Sequence, residues 1–197
     1  MNWAIHFAFL KLKARTLLVF ARPQAALHVF ENMLQLKPND SYALASCAHL
    51  HAANNNLSLA IAHLQTLVKT TPVASAWFNL GFLLQQAALH GDAEAAFRQA
   101  LANDERMDRA WYGLGLALMQ GRQFDEAAAA FERATVLQPM SPHAWYRLAE
   151  ALLALGRNDE AREVLLHLKQ FEPKVAAQLE RQTALHGPAS TIPHAAR

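Results

Sequence analysis

The sequence predicts an all-α chain built as an array of helix-turn-helix units, and three recurrences at one period carry that reading. Trp77, Trp111 and Trp145 stand 34 residues apart and open the same phrase: Trp77-Phe-Asn-Leu-Gly81, Trp111-Tyr-Gly-Leu-Gly115 and Trp145-Tyr-Arg-Leu-Ala149. A second phrase keeps step with the first, placing Ala93 with Phe97 and Ala100, Ala127 with Phe131 and Ala134, and Ala161 with Leu165 and Leu168. Pro139 and Pro173 close the last two units. Residues spaced by three and four share one face of a helix, so each phrase marks a helix with an inward stripe. A fixed period of this length is the mark of stacked supersecondary units.

Trp-x2-Leu-Gly, followed by Ala-x3-Phe and a closing proline, resembles the tetratricopeptide repeat, a helix-turn-helix unit. The resemblance covers most of residues 7–175 and is specific from residue 74 onward. It implies a right-handed superhelical solenoid whose first helices line a concave face, and it implies work by binding.

Residues 1–6 read as an N-terminal extension, and five units follow at 7–40, 41–73, 74–107, 108–141 and 142–175. The register runs back from Trp77 through Ala60, Leu64, Leu67 and Pro72 to Ala26, Phe30, Met33 and Pro38. The interval from Ala60 to Ala93 is 33, which points to one residue missing from the turn near Pro72, where a loss is tolerated better than in a packed helix. The first two units are degenerate. Leu10 and Leu44 stand at the Trp position, and Lys13-Ala14 and Cys47-Ala48 replace Leu-Gly. Leu17 and His51 hold the later aromatic position. A terminal repeat lacks one neighbour, so an atypical first helix is expected.

The unit 108–141 shows the local logic. Asp108 can cap the first helix. Trp111, Leu114, Gly115 and Leu118 fall on one face, with Gly115 admitting close approach of the partner helix. Gly121-Arg-Gln reverses the chain. Asp125 and Glu126 then suit the positive end of a second helix whose inward stripe is Ala127, Phe131 and Ala134. Pro139 stops that helix, and Ser141-Pro142 starts the next with a cap and a first-turn proline. Phe131→Ala should cost about 3–5 kcal/mol, because one hairpin cannot bury its own apolar face. Residues 176–186 read as a capping helix with a polar outer side, and 187–197 as a disordered tail.

Composition narrows the function. At 53% hydrophobic the chain is expected to fold, and a net charge of +2 is too near balance for nucleic-acid binding to be the default. A single cysteine excludes an intrachain disulfide and fits the cytoplasm. In the apolar segment 3–20, Lys11, Lys13 and Arg15 follow the apolar stretch instead of preceding it, which is the wrong order for a signal. No run of roughly 18 apolar residues spans a bilayer. A first repeat helix is the expectation there, with membrane contact or self-assembly through residues 3–20 as the alternative.

No sequence motif for phosphate binding, a nucleophilic serine or a zinc peptidase is present, so an enzyme is not expected and no cofactor is implied. Cys47 and His51 could share a helix face, but two ligands do not make a metal site. His49, His51 and His63 are read as satisfied or solvated side chains, and no metal is expected.

What remains is a binding face. The resemblance implies that the residue after each Trp, and the residue four further on, line the concave groove. These are Phe78, Tyr112 and Tyr146, then Phe82, Leu116 and Glu150, with Gln85, Met119 and Leu153 continuing the strip. Arg109, His143 and Arg147 share that face, as do Lys11 and Arg15 in the first unit. The candidate groove residues are therefore Phe78, Phe82, Arg109, Tyr112, Leu116, Met119, Tyr146 and Arg147. Aromatic and Met anchors with basic neighbours suit a peptide or helix of a protein partner carrying apolar anchors and acidic flanks.

Some members of the family grip a C-terminal carboxylate with two Asn and several basic residues. Asn79 and Arg109 match that pattern, but Gly113, Ala45 and His49 stand at three of its positions, so the resemblance implies that this clamp is missing. The expected function is a non-catalytic scaffold or adaptor, with a small secretion or assembly chaperone as the runner-up.

Overall fold

The computed structural model describes residues 3–183, and among them the chain is all-α, with eleven helices and no strand. It divides into two compact units, Met1–Gly113 and Leu114–Arg197, whose boundary falls inside one helix. The first unit holds α1 (Trp3–Val19), α2 (Pro23–Leu36), α3 (Ser41–Ala53), α4 (Leu57–Thr70), α5 (Ala74–Gln86), α6 (His90–Asn103) and the start of α7 (Asp108–Gln120). The second holds the rest of α7, then α8 (Phe124–Leu137), α9 (Pro142–Ala154), α10 (Asn158–Phe171) and α11 (Pro173–Thr183). Successive helices pack on one another within each unit, and α11 lies against α9 and α10. No helix of the described residues is long and apolar enough to cross a membrane.

Each hairpin closes through a short turn whose middle residue has left-handed φ: Ala21 at 52°, Asn55 at 61°, Ala88 at 58°, Arg122 at 58° and Gly156 at 75°. Gly121 is therefore not the residue that takes the strained angle in its turn; Arg122 is. The connections between hairpins span 37–40, 71–73, 104–107 and 138–141. The second is one residue shorter than the others, which accounts for the shortened interval between Ala60 and Ala93.

Packing explains the recurring residues. Ala26, Ala60, Ala93, Ala127 and Ala161 are wholly buried, and so are Phe30, Phe97 and Phe131 four residues after three of them. A small residue followed one turn later by a large one lets the second helix lie close and still fill the space between helices. The opposing helix is cut to match. A Cβ at Gly81 would lie 2.9 Å from the Phe97 ring, and one at Gly115 would lie 2.5 Å from the Phe131 ring. Two Trp side chains tie a first helix to the turn before it: Trp111 Nε1 donates to the Glu105 carbonyl at 2.8 Å, and Trp145 Nε1 to the Pro139 carbonyl at 2.7 Å.

Helix starts depart from the expected caps in places. Asp40 caps α3 by accepting from the Ala43 amide at 3.0 Å. Asp108 is the first residue of α7 and not a residue preceding it, while Ser141 stands at the N-cap of α9 without a side-chain hydrogen bond. Pro142 occupies the first turn of α9, where its missing N–H costs nothing. The same logic lets Pro173 open α11, so that helix begins before residue 176; Lys169 of α10 pairs with Glu180 of α11 at 2.5 Å. The expected cap beyond Thr183 and the tail at 187–197 lie outside the described residues. At the other end α1 already begins at Trp3, ahead of residue 7. Leu10 and Ala14 are buried in α1, whereas Lys13, at the usual Leu position, is exposed.

Candidate protein-binding face

In the first unit the first helices α3 and α5 bring small and aromatic residues together. Ala45, Ala48, His49 and Ala52 of α3, Leu64 of α4, and Asn79, Phe82 and Leu83 of α5 line a cavity of about 220 Å³. Phe82 is 47% exposed at its rim. Phe82 belongs to the candidate set read from the sequence; the alanines opposite it do not. Their signal was present as spacings of three and four on α3, but an alanine stripe ordinarily reads as close packing, and only the facing aromatic turns it into a hollow.

Phe78 has two roles. Its ring lies 6.0 Å from the buried Phe97 ring and 6.5 Å from Phe82, with which it stacks. The Arg109 guanidinium sits 5.1 Å from its centroid, a cation–π contact that positions a charged donor beside the aromatic pair. Phe78 and Tyr112 are both half-buried, so they belong partly to the packing and partly to the surface.

In the second unit, Leu116 and Met119 on α7 are half-buried. Tyr146 and Arg147 on α9 are engaged within the chain. The Tyr146 hydroxyl donates to Gln182 of α11, and Arg147 Nη1 donates to Glu150 Oε2 at 2.6 Å. Burial, then the Glu150 charge, pushes the Tyr146 phenol above its ordinary range. Glu150, the acidic exception in the basic strip, thus offsets Arg147.

The histidines do not all fit the solvated or satisfied reading. His49 is exposed beside the cavity. His51 is buried, with Nδ1 lacking a hydrogen-bond partner, Nε2 3.9 Å from Glu31, and its ring stacked 5.4 Å from that of His63. Its place in the sequence is the later aromatic position of the repeat, and packing holds it inside. Cys47 is wholly buried; desolvation, reinforced by Glu31, pushes its thiol up to about 12. Among the described residues no group of three His, Cys, Asp or Glu is placed to hold a metal ion.

A larger hollow of about 850 Å³ opens between α4, α5 and α6, lined by Lys69, Trp77, Asp92 and Arg98 among others. Its charges are mixed, and they define no single ligand chemistry.

Two tetratricopeptide repeat models match the chain, one over residues 21–81 and the other over 83–134 and 115–174. A comparison with curated protein sequences finds no match. Among solved structures the chain is similar to YrrB, described as a TPR protein with an unusual peptide-binding site, at TM-score 0.78 and 18% identity over 85% of this chain and 88% of that one. It is similar to MamA from Desulfovibrio magneticus RS-1 at TM-score 0.74 and 20% identity, covering 89% and 96% of the two chains. It is also similar to PilF of Pseudomonas aeruginosa at TM-score 0.69 and 18% identity, covering 90% and 84%. Likeness at these identities establishes a shared helical-repeat solenoid fold.

Proposed function

Given that the chain belongs to the tetratricopeptide repeat family, we propose that it is a non-catalytic protein-interaction scaffold that seats a peptide or helix of a partner against its first helices. The family is generally an interaction fold without catalysis, and a cytoplasmic setting suits the single buried thiol. The observation that carries the reading is the cavity between α3 and α5, an apolar hollow with exposed Phe82 at its rim. Most of its lining is apolar, while Asn79 and His49 offer hydrogen bonds that would orient a bound segment. Phe78 with Arg109 above it supplies a second anchor and a cation for an acidic flank. YrrB, which shares the fold, is itself described as having a peptide-binding site, and that supports a peptide as the kind of ligand.

The test is affinity capture from native lysate with three baits: the wild-type chain, Phe82→Ala, and Ala45→Trp, which fills the hollow. Circular dichroism first establishes that all three are folded. A protein retained by the wild type and lost from both variants is the expected result. Equal retention by all three baits would remove this face from consideration.

A further inference from the structure

The first helix carries two apolar stripes, and only one of them is used. Phe7, Leu10, Ala14 and Leu17 recur at spacings of three and four and pack into the core with α2 and Tyr42 of α3. Ile5, Phe9, Leu12, Thr16 and Val19 recur at the same spacings but start two residues earlier, which puts them on the opposite side of a helix turning 100° per residue. Ile5 is 65% exposed, Phe9 60%, Leu12 60% and Val19 81%, and Phe20 continues the stripe just past the helix end at 76%. Solvated apolar residues in a continuous row mark an interaction surface.

The charges around this stripe choose the occupant. On the helical wheel, Arg15 borders one edge of the stripe and Lys13 the other, and both are exposed, while Lys11 lies farther round toward the core side with its ammonium 4.7 Å from the Tyr42 ring centroid. Arg22 follows in the first turn region, and no Asp or Glu occurs before Glu31. An isologous pairing of two copies through this stripe would bring the like charges of both rims together. An anionic lipid surface accepts the apolar row among its acyl chains, while long Lys and Arg stems reach up to the headgroups. The stripe is too short and too rimmed with charge to span a bilayer, in keeping with the lack of any membrane-crossing helix among the described residues.

We infer that the outer face of α1 docks the chain peripherally on an anionic membrane surface, with Ile5, Phe9, Leu12 and Val19 inserted at the interface and Lys13 and Arg15 at the lipid headgroups. This function is separate from the cavity between α3 and α5, and it leaves that face open to a protein partner while the chain is held at the lipid.

Flotation of the full chain with vesicles tests this directly, comparing phosphatidylcholine alone with phosphatidylcholine mixed with phosphatidylserine. Binding is expected only to the mixed vesicles, weakening as salt is raised. Lys13→Glu with Arg15→Glu should lower partitioning by about tenfold or more, since each basic residue near such a surface contributes a several-fold gain. Phe9→Ser with Leu12→Ser should also release the chain. All four positions are exposed, so helicity serves as the folding control, and Lys13→Arg should bind like the wild type. The inference is overturned if mixed vesicles capture nothing, if both vesicle types bind equally, or if neither double variant changes binding. It is also overturned if the lipid-free chain sediments as a dimer that Phe9→Ser dissolves, because a second copy would then own the stripe.

Discussion

A side chain at Gly113 would place its first carbon 2.5 Å from Cζ of Phe97, closer than atoms can pack. Phe97 packs against both α5 and the start of α7, since a Cβ at Gly81 would likewise lie 2.9 Å from its ring. The glycine at this position, where carboxylate-gripping relatives carry a basic residue, therefore has a packing cause. Gly113→Ala is expected to destabilise the chain by about 1–3 kcal/mol through overpacking. Gly91, on α6 with open space around it, makes the control: its change to Ala should leave the urea midpoint level or slightly raised.

Ala88 sits at φ 58° in the turn between α5 and α6, an angle that brings Cβ against the following carbonyl. Left-handed backbone costs an L-residue about 1–2 kcal/mol, and glycine escapes that cost at the expense of a more flexible unfolded chain. Ala88→Gly should therefore stabilise by up to about 1 kcal/mol, read as a higher melting temperature. No gain would mean that the turn is relaxed by its neighbours.

The contrast between these two positions shows where the sequence was legible. Stripes such as Ala127 with Phe131 were readable because burial in a helix imposes a spacing, and the buried residues obey it. Most of the left-handed turn residues were not readable, since Ala21, Ala88 and Arg122 carry no signature of positive φ and only Asn55 and Gly156 do. The candidate face was legible in its aromatic half. Phe82 stands out from its place four residues after Phe78, whereas the hollow beside it is defined by what Ala45, Ala48 and Ala52 lack, and missing volume has no periodic signal. Nor could the repeat register foresee that Tyr146 bonds to Gln182, because that contact depends on where α11 folds back.

The His63 imidazole is held below its ordinary value of 6.5 by burial first and by the neighbouring His51 second, with Glu31 opposing. Glu31, 3.9 Å from His51 Nε2, is the acidic group that acts on this histidine pair. A histidine whose folded value is depressed binds fewer protons than the unfolded chain just below 6.5. Its contribution is complete above that pH and is lost as pH falls through the window. The urea midpoint should accordingly fall on going from above pH 6.5 to below it, and His63→Gln should flatten the fall. An identical slope in the variant would assign the pH dependence to other groups.

Phe82 and Phe97 are both phenylalanines of the same hairpin, and they should separate binding from stability. Phe97 is 1% exposed and gripped by two glycines, so Phe97→Ala should cost about 3–5 kcal/mol as its cavity opens. Phe82, at 47% exposed, gives up much less buried area, and Phe82→Ala should cost under about 1 kcal/mol. Tyr146→Ala is a less discriminating probe than Phe82→Ala, because it also removes the bond to Gln182 that ties α9 to α11. Chemical denaturation of the three variants ranks these costs, and capture by each bait reads binding. If Phe82→Ala proves as destabilising as Phe97→Ala, Phe82 is a core residue and the hollow beside it is a packing defect. If it is stable and binds nothing, the exposed ring is the anchor on which the partner closes.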